Sequence, residues 1–337
     1  MATTIHDVAR VAGVGIGTVS RVINNRANVK PKTRERVLSA IAQLDYRPNP
    51  IARSMISKRT GSIGVVVPFF TRFFFIEVLR GIEAALAQLG WDLVLYNVET
   101  NAQRDRYFTE LPMHHKVDGL LIISLAPEDA TASSFVEKGM CVVLVDAYSP
   151  YLHSLVIDNV GGAYQAVKYL IEKGHQRIGF INGIIEGSFK FNQANDRLIG
   201  LHRAFGDAGL PFEPELVIAT AWNRQGGKEA AMQLLSQKKR PTAIFAASDV
   251  QAVGVLDAAK ACKLLVPDDL SIIGFDGIEV SELLEISTVQ QPMQEMGQLG
   301  VYKLQELIEN PRQQPELIRL EATLIVRRTT GLAPFMI

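Results

Sequence analysis

The sequence predicts a small helical module joined by a short link to a doubly wound α/β body of two similar halves. Three observations carry this prediction. The first 46 residues hold helix-period segments and no strand-like run, whereas from Gly61 onward short Val/Ile/Leu runs alternate with amphipathic stretches. A net basic excess is also confined to the start. Over 337 residues the formal net charge is zero, yet residues 1–60 carry eleven Lys/Arg against three acids, which leaves 24 against 32 for the rest. A basic module on an acidic body fits a polyanionic partner for the module alone and argues against general membrane adhesion.

Within the module, Ile5, Val8, Ala9 and Ala12 fall at helical spacing, and Thr4 with Asp7 frames a capping-type start. The spacing predicts helices over about 5–11, 16–24 and 32–44, the third beginning after Pro31 with Val37, Leu38, Ile41, Ala42 and Leu44 as its apolar stripe. The glycines of "AGVGIG" stand at 13, 15 and 17 and follow a helix, so they do not form a phosphate-cradling G-x-G-x-x-G, which must follow a strand. They suit instead the short turn of a helix-turn-helix, whose second helix enters the DNA major groove. A plain three-helix bundle is the alternative, and the charge weighs against it.

In the link "YRPNPIARSMISKRT", Pro48 and Pro50 stop the third helix and Asn49 can cap a two-turn helix with Ile51, Ala52, Met55 and Ile56 on one face. So short a helix orders only when something packs against it; a flexible linker is the other reading. The body's predicted strands are "SIGVVVP", "DLVLYNV", "GLLIIS", "CVVLVDA", "SLVIDN", "RIGFING", "LVIATA", "AIFAAS" and "SIIGFD". Such runs suit parallel strands buried on both faces. A weak repeat, "GIEAALAQLG" at 81–90 and "GLHRAFGDAG" at 200–209, suggests two half-domains with a cleft between them.

Several classes are set aside. No apolar run reaches 18 residues and the N-terminus lacks a charged-then-apolar leader, so a cytoplasmic protein without membrane attachment is expected. Cys141 and Cys262 lie in apolar stretches and are expected to be reduced, buried thiols. The pair His114-His115 has no ligand spacing, so neither a metal nor a cofactor is expected. Two rivals remain in view: an exported solute-binding protein with the same body, and a nicotinamide-dependent enzyme. The basic module opposes the first. Glycine spacing and the lack of a Ser/His/Asp or Cys/His motif oppose the second, and no catalytic residue is expected.

The segments "TIHDVARVAGVGIGTVSRVINN", "VKPKTRERVLSAIAQLDYRPNPIAR", "LVIDNVGGAYQAVKYLIEKGHQRIGFI", "PTAIFAASDVQAVGVL" and "SIIGFDGIEVSELLEISTVQQPMQEMG" strongly resemble the lactose/galactose-repressor (LacI/GalR) family over essentially the whole chain. The resemblance implies a homodimeric repressor with a periplasmic-binding-protein type I body. It would bind a pseudo-palindromic operator in double-stranded DNA and a small effector in the cleft, most readily a sugar, otherwise a purine or nucleoside. It implies a DNA-binding domain over 1–46, a hinge over 47–60 and an effector domain over 61–337. The effector domain would divide into one subdomain of about 61–159 and 291–319 and another of about 160–290 and 320–330. With no heptad tail at the C-terminal end, a dimer is expected rather than a tethered tetramer.

By position in the family, Ile16, Gly17 and Arg21 would read bases: Arg21 by a bidentate contact to guanine, Ile16 by apolar contact, Gly17 with no side chain. Thr4, Thr18, Ser20, Asn24 and Thr33 would meet phosphates, which position without specifying. In the hinge, Arg53 would face DNA, and Met55 stands where the family usually wedges a leucine into the minor groove; its alternative is packing against the dimer mate. For the effector, the likeness implies Arg197, Trp222, Ser248, Asp249 and Asp276, with Phe70, Phe73 and Phe74 as an aromatic wall. The bland readings are an ion pair of Arg197 with Asp196 or Asp276, a core tryptophan, and phenylalanines that merely underlie the first body helix. Three departures stand out: Gly15 where the family commonly has serine, Phe69 with Arg72-Phe73 where many relatives have a polar residue and Asn-Pro, and Ser248 where asparagine is frequent.

Overall fold

The computed structural model describes residues 3–23, 28–46, 59–114, 116–184, 189 and 191–334. The chain forms two compact units, 1–60 and 61–337. In the first, helices α1 (Ile5–Ala12), α2 (Ile16–Ile23) and α3 (Pro31–Gln43) close on a core of Val8, Ala9, Ala12, Val19, Val22, Val37 and Ala40. The carboxylate of Asp7 accepts from the Thr4 backbone N–H at 3.0 Å and from its hydroxyl at 2.7 Å, closing the first turn. Helix α1 ends on Gly13, whose φ of 63° is the left-handed conformation glycine adopts at least cost. Arg36 of α3 reaches across to this turn, donating to the carbonyls of Ala12 at 2.6 Å and Gly13 at 3.1 Å. The apolar stripe of α3 is narrower than its sequence suggests. Leu38 is 52% exposed and Ala42 also faces outward, because only the Val37–Ala40–Ile41–Leu44 side meets α1 and α2. The hinge helix expected after Pro50, with Arg53 and Met55, and Asn24 of the expected DNA contacts lie outside the described residues.

The second unit holds two six-stranded sheets. Lobe 1 orders its strands β11-β5-β4-β3-β1-β2, all parallel, from β1 (Ser62–Pro68), β2 (Asp92–Val98), β3 (Gly119–Ile123), β4 (Val142–Val145), β5 (His153–Ile157) and the distant β11 (Leu317–Leu320). Lobe 2 orders β12-β10-β9-β8-β6-β7, from β6 (Ile178–Gly183), β7 (Val217–Thr220), β8 (Ala243–Ala246), β9 (Ser271–Asp276), β10 (Ser287–Gln290) and β12 (Thr323–Ile325). Only β12 is antiparallel there. The chain therefore passes between the lobes three times, after β5, after β10 and after β11.

Helices flank both sheets: α4 (Phe73–Leu89), α5 (Asn101–His114) and α6 (Asp129–Glu137), then α7 (Asn159–Glu172), α8 (Asn192–Asp207), α9 (Arg224–Leu235), α10 (Asp249–Ala261), α11 (Glu279–Leu283) and α12 (Met293–Glu309). Central strands β3, β4, β6, β8 and β9 are buried throughout, as the unbroken apolar runs require. "DLVLYNV" and "LVIATA" depart from that expectation. They become the edge strands β2 and β7, covered on one side only, and Leu93 and Leu95 stay exposed. The two cysteines also differ from expectation: neither forms a disulfide, yet both are only half-buried, Cys141 near the Leu307 carbonyl and Cys262 beside Met232. Among the described residues no helix is long and apolar enough to cross a membrane, and no cluster of His, Cys, Asp or Glu could hold a metal ion.

Candidate functional site

The carboxyl ends of strands from both sheets converge on an open space of about 650 Å³. The loop after β1 with the first turn of α4 brings Arg72, Phe73, Phe74 and Phe75, and those after β3 and β4 bring Ser124 and Asp146; the loops after β7 and β8, with the start of α10 and the last residue of β9, bring Trp222, Ser248, Val250 and Asp276; the approach to α8 and its first turns add Phe191, Gln193 and Arg197. Strand ends at a topological switch are where open α/β sheets bind ligands. The backbone is strained there too. Phe69, Ser124, Asp146 and Asp276 all have positive φ (46°, 53°, 58° and 117°), a conformation that non-glycine residues keep only where surroundings enforce it.

Arg197 is the buried cation of this cleft. Its Nε donates to Asn159 Oδ1 at 2.9 Å, another nitrogen donates to the Ala247 carbonyl, and Nη2 stands 3.8 Å from Asp276 Oδ1. The guanidinium lies 3.7 Å from the centre of the Phe275 ring and 5.7 Å from that of Trp222. Burial pulls its pKa down, and Asp276, Asp146 and Asp249 oppose that pull. The ion-pair reading thus holds with Asp276, in a group that also faces the cleft. Asp276 itself is pushed up to about 8, chiefly by burial and further by Asp249, against the attraction of Arg197. Gln291 Nε2 donates to its Oδ1 at 2.7 Å and fixes its orientation.

Asp249 does not line the cleft. Fully buried, it accepts from the backbone N–H groups of Gly277 at 2.7 Å and Ile278 at 2.9 Å and from the Thr288 hydroxyl at 2.5 Å. It braces the loop that presents Asp276. Its neighbour Ser248 does line the cleft while its hydroxyl caps α10. Trp222 is half-buried with its ring packed against Gly183, where an added Cβ would come within 1.8 Å of the indole; its Nε1 is buried and bonded to no described protein group.

Of the aromatic wall, Phe73 and Phe74 line the space, Phe74 edge-on to Phe75 at 5.3 Å, whereas Phe70 lies outside the lining, half in solvent, with its N–H toward Asn97 Oδ1. The sequence reading missed Arg72, Phe75, Ser124, Asp146, Phe191, Gln193 and Val250. Asp146 accepts Ser124 Oγ at 2.6 Å and Gln193 Nε2 at 2.5 Å, and burial pushes it to about 6 against those bonds and Arg197. The signal that could have found Ser124 and Asp146 is positional: each polar residue directly follows an apolar strand.

In the helical unit, Ile16, Gly17 and Arg21 share the exposed side of α2, Ile16 with 40% of its surface open, while Val19 and Val22 face the core. Thr18, Ser20 and Thr33 are half-buried at helix starts or on the flank, and the hydroxyl of Thr4 is held by Asp7. Arg36, which locks the turn, was not singled out by its sequence context.

A basic helix-turn-helix followed by a two-lobed body with a polar and aromatic cleft defines a ligand-responsive DNA-binding regulator. Residues 4–49 match the model of bacterial regulatory proteins of the lacI family, and residues 167–330 match a periplasmic binding protein-like domain. The chain belongs to the LacI family of transcriptional regulators. Catabolite control protein A of Priestia megaterium is 33% identical over 334 residues, covering 98% of this chain and 100% of that one. The ribose operon repressor of Haemophilus influenzae is 34% identical, with coverage of 97% and 98%. Among solved structures, the lac repressor dimer bound to operator and the anti-inducer ONPF superposes with a TM-score of 0.87 at 28% identity, covering 98% of this chain and 100% of that one. The transcriptional regulator CelR in complex with cellobiose gives 0.71 at 32% identity, covering 97% and 99%. The protein is therefore a sequence-specific DNA-binding transcriptional regulator whose operator affinity answers to a small effector.

Proposed function

We propose that this regulator is a homodimeric repressor, acting in the cytoplasm without catalysis, whose effector is a sugar bound between the lobes. The observation that carries the sugar reading is the Arg197–Asp276 pair beside the Trp222 face. A guanidinium donates several hydrogen bonds, hydroxyls of a ligand that donate to the Asp276 carboxyl favour its ionised form, and an indole face covers the C–H side of a sugar ring. A lac repressor dimer bound to operator and a CelR–cellobiose complex among the similar structures support the dimer and the sugar. A second reading, a purine or nucleoside, is favoured by the rings of Phe73, Phe74, Phe191 and Trp222 around the same space.

At the operator, Arg21 reads guanine and Ile16 meets an apolar base edge, Gly17 leaves its position unread, and Thr4, Thr18, Ser20, Asn24 and Thr33 hold phosphates. Arg53 and Met55 serve the hinge at the centre of a pseudo-palindromic site. The grouping of strands into two sheets supports a boundary near residue 60 and an effector domain of two interwoven subdomains. Effector binding favours one arrangement of the lobes and so changes operator affinity by linkage.

The test is a thermal-shift screen of mono- and disaccharides, sugar phosphates, purines and nucleosides against the full chain and Asp276→Ala. At a hundred times its dissociation constant a ligand adds about 2.7 kcal/mol to stability. Stabilisation by a saccharide that disappears in the variant supports the sugar; stabilisation only by a base or nucleoside replaces it with the second reading.

A further inference from the structure

The polar groups around the cleft divide unevenly into those that give hydrogen bonds and those that take them. The charged and hydroxyl donors are largely used within the protein. Arg197 donates through Nε to Asn159 Oδ1 and through Nη1 to the Ala247 carbonyl, and its Nη2 stands 3.8 Å from Asp276. The Ser124 hydroxyl donates to Asp146 at 2.6 Å, and the Ser248 hydroxyl donates to Gln251 Oε1 at 3.1 Å. Arg72, the other cation of the lining, lies with its guanidinium 4.0 Å from the centre of the Phe69 ring. Trp222 Nε1 is left over, but it is a neutral donor. Acceptors remain in greater supply: each carboxyl group has lone pairs on two oxygens, and Ser124 and Gln193 both meet Oδ2 of Asp146. Charge leans the same way. Asp276, Asp146, Asp249 and Asp196 all act on the buried guanidinium of Arg197, and the first three are themselves buried. One positive charge does not keep so many carboxylates ionised in a desolvated site, and Asp276 holds its proton up to about pH 8. The rings of Phe73, Phe74, Phe191 and Trp222 border the same space. A ring face, like a carboxylate, attracts a cation.

We infer that the effector is a hydroxyl-rich molecule carrying a protonated amine, most simply an amino sugar, whose ammonium group lies against the carboxyl groups of Asp146 and Asp276, and that the cleft rejects phosphorylated and carboxylated ligands. An ammonium brings three donors and no acceptor, and it supplies the positive charge that the cluster lacks. Beside it Asp276 gives up its proton, and the new carboxylate accepts a charge-assisted hydrogen bond. A phosphate brings acceptors and negative charge. It would need the fork of Arg197, two of whose nitrogens already serve Asn159 and Ala247, and it would stand among carboxylates. An uncharged sugar falls between the two, because its hydroxyls donate to the acceptors but leave the excess of negative charge as it was. This inference rests on the reading of the cleft as the effector site and narrows the sugar proposed above to one charge class.

The experiment is isothermal titration calorimetry of the full-length protein at about pH 6.5, where the amine of an amino sugar is protonated. The ligands form charge series on common scaffolds. Glucose, mannose and galactose are each compared with their amino sugar, its N-acetyl derivative, the sugar phosphate and the uronate; adenosine is compared with its amino-deoxy analogue and its monophosphate. In the series that binds, the amine is expected to bind at least ten-fold more tightly than the neutral forms, and the phosphate and uronate most weakly. Asp146→Asn keeps the shape and removes the charge, and should cut the amine preference to less than about three-fold with unchanged far-ultraviolet circular dichroism. If that variant fails to fold, the ranking in the parent protein decides. A phosphate or uronate that binds more tightly than its neutral parent, an amine with no advantage over the N-acetyl form, or a preference that survives Asp146→Asn intact overturns the inference. Binding confined to the adenosine series removes the sugar reading separately: the amino-deoxy analogue first still upholds the ammonium, and the monophosphate first overturns it. Silence in every series at about 10 mM ligand overturns both.

Discussion

Asp276 is held at the expense of the fold's own stability, and pH exposes this. The folded protein keeps a proton on Asp276 up to about pH 8, whereas the unfolded chain releases it near the usual carboxylate value. Because the folded pKa is raised, the stability this group contributes is fully present below about pH 4 and is lost as pH rises toward 8. Each pH unit over which only the folded state holds the proton costs about 1.4 kcal/mol, so roughly four units set a ceiling of about 5.5 kcal/mol. Water access to the cleft and relaxation around the charge reduce this to about 2–3 kcal/mol.

Asp276→Asn mimics the neutral acid and keeps an oxygen for Gln291 Nε2. It should therefore change stability by less than about 1 kcal/mol at pH 5, yet gain about 2–3 kcal/mol over the parent at pH 8. Urea unfolding at pH 5, 6, 7 and 8, followed by circular dichroism of the body, measures the difference, and a body of this size should melt about 5–10 °C higher at pH 8. A difference that is flat with pH, or a variant less stable than the parent at pH 8, refutes the argument that desolvation outweighs the attraction of Arg197. The variant should also lose effector binding, as expected of a group kept for function.

Other perturbations follow from the same geometry. Gly183→Ala puts a methyl group where the Trp222 ring lies, so the indole must swing away; intrinsic fluorescence should shift and effector affinity fall more than ten-fold, and an unmoved spectrum would count against the packing described. Asp249→Ala leaves two backbone N–H groups and the Thr288 hydroxyl without their acceptor, and the chain should lose about 3 kcal/mol or more in urea unfolding; a loss under 1 kcal/mol would show that the loop finds other partners. Arg36→Ala removes the donors to Ala12 and Gly13 and should destabilise the helical unit by about 1–2 kcal/mol, seen as earlier loss of its amide protection in hydrogen exchange while the body is unchanged. Arg21→Ala should reduce operator preference by about 1–3 kcal/mol while weak, salt-sensitive binding persists; equal losses on operator and random DNA would make Arg21 a phosphate contact only.

The regular elements were legible because their patterns are local. Helices α1 to α3 declare themselves by capping and spacing, and central strands such as Leu120–Ile123 by unbroken apolar runs. What was less legible depends on position in the sheet. "DLVLYNV" looks like a central strand and lies at an edge, and β11 and β12 are too short to stand out before their partners are known. The cleft was half-readable. Arg197, Trp222 and Asp276 came through family likeness, while Ser124, Asp146 and Gln193 gain meaning only when strand ends from distant segments meet. Asp249 shows the opposite error: a carboxylate beside a pocket residue was assigned to the pocket, though one residue further along α10 its side chain turns beneath the floor.

The order in which the strands enter the two sheets has a consequence for synthesis on the ribosome. The helical unit precedes the body and is built from local contacts, but lobe 1 lacks α12 and β11, and lobe 2 lacks β12, until residues 293–325 have emerged. A polypeptide interrupted before Leu317 therefore carries a finished DNA-reading head on a body in which both sheets have an open edge. Residues 317–325 thus complete one edge of each sheet, so both lobes reach their final strand order with the same short stretch of chain.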